Sequence, residues 1–222
     1  MSKISIILNV YDPTPWQRHM TMACLATIRK FTDQPYEIIV VDNEPKFPIR
    51  DEYKVLNLDK ENVITNTKNQ TAYYSYNQGA AQAHGDYLVF MQNDVFCHER
   101  TINKLVEYLE GYDVAYPQQI PITRDQVNQL RVNEIAPFGW RDAGMLAITK
   151  EAFKKTGGWD DRFNNLLGEA AFYKRIDNAG LSWTCQTTAI ITHIMAGNNL
   201  MKDKELYAKQ MDKDAKLLEE YK

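Results

Sequence analysis

The chain opens on a continuous apolar run, Ile4 to Val10, rich in β-branched residues, which is the pattern of a strand buried on both faces. Thr14 and Pro15 then supply an N-cap and a proline at the first helical position, and Trp16, Met20, Cys24, Ile28 and Phe31 recur at helical spacing. A second buried run, Tyr36 to Asp42, ends abruptly in polar residues. The opening therefore predicts β-α-β and a parallel sheet.

Lys46 to Asn57 is irregular and ends in a weak strand, after which Val63-Ile64 and the polar stretch Asn66 to Gln70 lead into a helix from about Ala72 to His84. Gly85 suits the C′ position of that helix. Tyr87 to Met91 is the next predicted strand and runs straight into Gln92-Asn93-Asp94. A helix over Arg100 to Glu110 and a short strand near Asp113 to Tyr116 complete a regular first half.

From Pro117 to Gly139 the pattern fades into polar residues and prolines, which predicts a long acceptor-side loop. Beyond it come a strand at Met145 to Ile148, a short helix through Ala152-Phe153, a turn at Gly157-Gly158, and a helix from about Leu166 to Asn178 closed by Gly180. Trp183 to Ile194 has the pattern of one or two strands. Asp203 to Tyr221 is a charge-laced helix whose candidate packing residues are Leu206, Tyr207, Met211, Leu217, Leu218 and Tyr221.

Composition narrows the class without changing this picture. The 222 residues suffice for one sizeable core, and 44% hydrophobic with 25% charged residues exclude a disordered or collagen-like chain. A net charge of −3 lacks the basic excess of a generic nucleic-acid binder. Cys24, Cys97 and Cys185 lie far apart and form no zinc-like cluster, and an odd number cannot all pair. The first apolar run is too short for a signal-peptide core, and no stretch approaches the length of a membrane span. A cytoplasmic protein is expected.

Ligands of open parallel sheets bind outside the carboxyl ends of the strands. Three such ends carry chemistry: Asn9-Val10-Tyr11-Asp12, Asp42-Asn43-Glu44 and Gln92-Asn93-Asp94. Together they would place an aromatic ring and several carboxylates in one crevice, suited to a base, a ribose and a metal-bound diphosphate. Polar strand ends that are merely solvated are the alternative.

In order along the chain stand SIILNVYD, YEIIVVDN, KNQTAYYSYNQGAAQAHGDYLVFMQNDV, DAGMLAITKEAFKKTGGWDDRF, GEAAFYKRIDNAG and ITHIMAGNN. This series, over residues 3 to about 199, resembles the family 2 glycosyltransferases of the GT-A fold. The resemblance implies an α/β, Rossmann-like domain with a mostly parallel mixed sheet flanked by helices. It would span residues 1–199, with a nucleotide-sugar half at 1–116, an acceptor and catalytic half at 117–199, and a C-terminal helix at 200–222 packed on it.

The resemblance also implies site residues. Asp42 would hold the base or ribose, with Val10 and Tyr11 flanking the base, and Asn69 and Asn77 would line the nucleotide-sugar. The family's Asp-x-Asp metal motif reads Gln92-Asn93-Asp94 here, leaving Asp94 as the acid for Mn²⁺ or Mg²⁺ while Gln92 and Asn93 contact ribose or sugar. His193 stands where relatives place a histidine near the metal, although a histidine after a strand also serves as a purely structural group. Glu169 is the expected general base for inverting transfer, with Asp142, Asp160 and Asp161 in reserve. Gly168 replaces the first acid of the family's pair, and Ala171 a later one. A glutamate at a helix start also simply complements the dipole.

The implied partners are a nucleotide-diphosphate sugar and an acceptor that is a glycan, a protein or a nucleic-acid base. A sugar-nucleotide pyrophosphorylase would need a glycine-rich basic loop after the first strand, where this chain has NVYDPTPW. A degenerate, non-catalytic member that binds a nucleotide-sugar or a glycan is the remaining alternative, motivated by Gln92, Gly168 and Ala171.

Overall fold

The computed structural model describes residues 3–44, 62–123, 138–139, 141, 144–164, 167–185, 187–195 and 204–221. In its seven-stranded sheet, β1 (Ile4–Val10) lies between β2 (Tyr36–Asn43) and β4 (Tyr87–Gln92), parallel to both, and β3 (Val63–Asn66) continues parallel outside β2. On the other flank β9 (Met145–Thr149) runs antiparallel to β4 and to β6 (Val114–Ala115), and β10 (Trp183–Thr184) pairs parallel with β6. All strands but β9 therefore point the same way. Their carboxyl ends form one edge of the sheet.

The unbroken apolar runs follow from burial on both faces. Ile4, Ile6, Leu8 and Val10 face α1 (Pro15–Phe31), where Cys24, Leu25 and Ile28 are fully buried, and α3 (Thr101–Tyr108) joins the same cluster. Burying each such aliphatic side chain contributes roughly 1.5–3 kcal/mol. Ile7, Ile39 and Val41 face the opposite way into a cluster with Tyr76, Phe90, Trp159 and Phe172. That side is covered by α2 (Ala72–Gln82), α4 (Lys150–Thr156) and α5 (Gly168–Asn178). The Thr14 hydroxyl accepts the Gln17 N–H at 3.3 Å, and Pro15 occupies the first turn of α1 as its sequence predicts.

Two expectations are corrected. Gly85 is not a left-handed helix stop: α2 ends at Gln82, and a Cβ at Gly85 would collide with the Lys3 carbonyl and with Ser5. The glycine permits a close crossing, and its N–H donates to Ser5 Oγ at 2.8 Å.

The expected loop after Pro117 instead begins as β7 (Gln118–Thr123) of a second, four-stranded sheet. That sheet has the order β5 (Val95–Cys97), β11 (Ile190–Met195), β7, β8 (Phe138–Gly139), and β11 runs parallel to β7 and antiparallel to β5. Ile120 and Ile122 bury alternate positions of β7 against Met20 and Ile194, while its two glutamines and Pro121 mask the strand pattern. Residues 124–137 lie outside the described residues, as do 45–61 with the whole of the expected irregular stretch and weak strand at Lys46 to Asn57.

The C-terminal helix, α6 (Lys204–Leu218), ends in a 3₁₀ turn at Glu219–Tyr221. Leu217, Leu218 and Tyr221 pack on the α2–α5 side as expected, whereas Leu206 is 43% exposed and makes no part of the core. Among the described residues no helix is long and apolar enough to cross a membrane.

Candidate active site

Strand register brings the predicted nucleotide residues to one edge. Val10 pairs with Asp42 across β1 and β2, and Asn9 pairs with Gln92 across β1 and β4. The Val10 side chain is wholly buried in the core, so only its backbone can face a ligand, which corrects any side-chain role for it. Tyr11, just beyond, is half-buried; burial and then the Glu44 charge raise its phenol.

Asp42 is 3% exposed, and its Oδ1 has no hydrogen-bond donor among the described residues. Burial pushes this carboxyl up to about 7; the charge of Asp12 adds to the effect and Arg18 opposes it. Asp12 is itself buried beside it. A desolvated acceptor without a donor is costly in the free protein. A ligand N–H or O–H would satisfy it.

An amide network stiffens this edge. Asn43 donates to Asn9 Oδ1 at 2.8 Å and to Ser75 Oγ at 3.0 Å, and accepts from Asn66 Nδ2 at 2.9 Å, tying β1, β2, β3 and α2 together. Asn69 is exposed in the connection from β3 to α2. Asn77 does not join the crevice. Its Nδ2 donates to the Trp159 carbonyl at 2.8 Å and its Oδ1 accepts the Trp159 N–H at 3.0 Å, so both ends of the amide hold α2 to the turn before α5.

After β4 the chain turns into the second sheet. Gln92 is half-buried, and its N–H donates to the Gly144 carbonyl at 3.0 Å. Asn93 Nδ2 donates to Thr21 Oγ1 of α1 at 2.7 Å, so that part of its amide is engaged within the protein.

Asp94 sits at the seam between the sheets, its carbonyl accepting the Ile194 N–H at 2.9 Å. His193 on β11 places Nε2 3.6 Å from Asp94 Oδ1, while its Nδ1 lies 3.3 Å from Gln119 Oε1 on β7. In the tautomer that donates Nδ1–H to Gln119 Oε1, Nε2 presents a lone pair towards Asp94. Asp94 Oδ1 is buried without a hydrogen-bond donor among the described residues. A carboxylate oxygen and an imidazole nitrogen facing each other fit a divalent cation, which substrate oxygens would complete, since no cluster of three such protein ligands occurs among the described residues.

Glu169 is the second residue of α5. Gly168 before it packs directly on Tyr73, and a Cβ there would enter the tyrosine ring, so an acid at that position would require the ring to shift. The Tyr73 hydroxyl accepts the Glu169 backbone N–H, and the Tyr73 ring stacks on Trp159 with centroids 5.4 Å apart. Burial first, and then the Glu169 charge, hold the Tyr73 phenol well above its usual range.

Of the reserve acids, Asp160 is corrected to a structural role. Arg162 donates to it at 2.6, 2.9 and 3.1 Å and the Tyr221 hydroxyl at 2.5 Å. Burial acts to raise its carboxyl, but these hydrogen bonds hold it at about 2. Asp161 is exposed, and Asp142 lies outside the described residues.

The glycosyl transferase family 2 model matches residues 5–174, well over half of the chain. The chain belongs to glycosyl transferase family 2. It is 24% identical over 177 residues to an uncharacterized glycosyltransferase, YwdF, of Bacillus subtilis, covering 78% of this chain and 58% of that protein.

Its fold is that of GT-A glycosyltransferase structures. The mannosyltransferase PcManGT from Pyrobaculum calidifontis, in complex with GDP-Man and Mn²⁺, superposes with a TM-score of 0.71 at 16% identity, over 98% of this chain and 64% of that one. TarS 1-349 of S. aureus, in complex with UDP, gives 0.65 at 15% identity over 86% and 60%. GalNAc-T7 with UDP, GalNAc and Mn²⁺ gives 0.65 at 16% identity over 87% and 44%. The chain thus spans less than two thirds of the length of each.

Within this family 2 member, sequence reasoning missed Gln119, which lies on β7 in the stretch expected to be a loop; Asp12, read only as part of a polar strand end, proves to be buried beside Asp42. The family match ends inside α5, leaving α6 beyond it.

Proposed function

We propose that the chain transfers a sugar from a nucleotide-diphosphate donor to an acceptor hydroxyl with inversion. The observation that carries this reading is a pair of buried carboxylate oxygens without hydrogen-bond donors among the described residues, Asp42 Oδ1 at the end of β2 and Asp94 Oδ1 just after β4, the two strands that flank β1. Those strands are two sheet spacings apart, roughly 9–10 Å. That span suits a nucleoside, with its base or ribose at Asp42 and its diphosphate towards Asp94.

Tyr11 borders the base and the backbone of Val10 closes the pocket wall, with Asn69 and Gln92 at its mouth. Asp94 and His193 hold Mn²⁺ or Mg²⁺, which when bound neutralises the departing nucleoside diphosphate. Glu169 takes the acceptor hydroxyl's proton as the acceptor oxygen bonds to the anomeric carbon and the carbon–oxygen bond to the diphosphate breaks. The proton ends on Glu169, the bonding electrons end on the diphosphate, and no enzyme nucleophile intervenes. The packing of Gly168 on Tyr73 gives the lost acid a steric origin and weakens the case for a degenerate, binding-only member.

The test is thermal stabilisation by UDP-glucose, UDP-N-acetylglucosamine and GDP-mannose with and without Mn²⁺, followed by nucleoside diphosphate release on the donors that bind. Metal-enhanced stabilisation with release supports transfer. Stabilisation without release, across glycan and protein acceptors, supports the binding-only member; no stabilisation by any of the three overturns the donor site.

A further inference from the structure

We propose that Asp214 of α6 is a positioning residue that fixes the N-terminus of α5 and thereby aims the Glu169 carboxylate. The proposal rests on the general-base reading of Glu169. Asp214 is wholly buried, the one fully buried residue of a charge-laced helix. Its two oxygens accept the Asn164 N–H at 3.4 and 3.3 Å, and Oδ2 also accepts the Leu167 N–H at 3.4 Å.

Leu167 is the N-cap residue of α5 and has no side chain able to cap it. A carboxylate from a different helix therefore does the capping, two residues before Glu169. A buried carboxylate is a costly way merely to attach a helix, since apolar packing achieves that. Its presence makes sense where donors must be held in place.

A second set of contacts ties the same helix down. The Tyr221 hydroxyl, just after α6, donates to Asp160 and accepts from Arg175 of α5 at 2.7 and 3.1 Å, and Arg162 reaches Glu220 at 2.8 Å. The charge of Asp214 is also felt at Tyr73, the residue that accepts the Glu169 N–H. Asp214 and Tyr221 both lie beyond residues 5–174, the segment the family model matches.

The experiment compares wild type, Asp214→Ala, Asp214→Asn, Glu169→Gln and the Asp214→Asn/Glu169→Gln pair. It reads release of nucleoside diphosphate from UDP-glucose or GDP-mannose, whichever is turned over, with Mn²⁺ and water as acceptor, corrected for the folded fraction. Asp214→Ala should lower kcat roughly 10–100-fold, the cost of a misplaced reacting group, with donor KM nearly unchanged. Asp214→Asn, which keeps one acceptor oxygen, should recover part of the loss and carries the comparison if the alanine variant does not fold.

In the Glu169→Gln background the Asp214 substitution should cost within about twofold, because a residue acting through Glu169 has nothing left to aim. Additive losses, or Asp214 variants equal to wild type while Glu169→Gln is impaired, overturn the positioning role alone. Wild-type turnover by Glu169→Gln, or no turnover of either donor by the wild type, overturns the general-base reading and this proposal with it.

Discussion

His193 faces Asp94 across the seam between the two sheets with Nε2 3.6 Å from Oδ1, and the ring is oriented from behind by Gln119 at 3.3 Å. The three residues come from β11, from the turn after β4, and from β7. On the proposed reading, the second sheet would supply the second ligand that the shortened Gln92-Asn93-Asp94 motif lacks.

Gln119→Leu removes the acceptor that holds the proton on Nδ1 while keeping the side chain's bulk. Mn²⁺ affinity in the presence of UDP or GDP, measured by electron paramagnetic resonance, should fall roughly 10–100-fold, the usual effect of losing a histidine's supporting partner. Uridine and guanosine, which carry no diphosphate, should bind as before. Unchanged Mn²⁺ affinity would show that Gln119 does not orient the ring.

Asp42 makes the free protein's stability depend on pH. Its folded value of about 7 lies above the unfolded carboxylate value near 4, so the folded state holds the extra proton and stability declines as pH rises from about 4 to 7. Asp42→Asn should therefore stabilise the unliganded protein at pH 8 by roughly 2–4 kcal/mol, with little effect at pH 4. The same variant should bind nucleoside diphosphate more weakly, and wild-type affinity should improve as pH rises through 7 and the carboxylate becomes an acceptor. Urea melts at the two pH values and nucleotide titrations check both halves.

The parallel core was legible because β1, β2 and β4 are apolar on both faces, and burial on both faces leaves a continuous signature. Their polar ends then located Asp42 and Asp94. β5 has three residues, and β7 sets two glutamines before Ile120 and a proline between its buried isoleucines, so neither reads as an ordinary strand, and Gln119 stayed hidden with β7. Asp160 and Asp161 are adjacent and alike in sequence, yet one is clamped by Arg162 and Tyr221 and the other is solvated. Asp214 is one acid among many on α6. Such distinctions depend on tertiary contacts, among them ones between residues 47 and 61 positions apart.

Gly168→Asp restores the family's acidic pair on paper but places a Cβ inside the ring of Tyr73. The expected result is a loss of roughly 1–3 kcal/mol from overpacking, with no gain in turnover. A urea melt and a donor-release assay check it. Higher turnover at wild-type stability would mean that the Tyr73 ring yields readily and that the missing acid limits the enzyme.

Asp160→Asn should destabilise the fold at pH 7 by roughly 1–2 kcal/mol, because its depressed folded value contributes stability that is present above about pH 4 and lost as pH falls through about 2. The difference from wild type should shrink in melts at pH 3. A constant difference across that range would mean that shape, not charge, holds the 3₁₀ turn.

Glu169→Gln should separate binding from chemistry. The substitution keeps the size of the side chain and leaves the backbone N–H to Tyr73 in place, so α5 should remain docked. Stabilisation by UDP- or GDP-sugars with Mn²⁺ should match wild type, because Glu169 lies on α5, whereas the donor pocket is built at the ends of β1, β2 and β4. Turnover should fall roughly 10²–10⁴-fold, the usual contribution of a general base. A glutamate that only complements the helix dipole would instead cost about 0.3–1 kcal/mol of stability and leave the folded enzyme's turnover intact. Turnover within about threefold of wild type at saturating donor, a difference of less than 1 kcal/mol in barrier, would therefore remove Glu169 from the mechanism. With Asp160 already committed to Arg162 and Tyr221, the search would pass to Asp161 and Asp142.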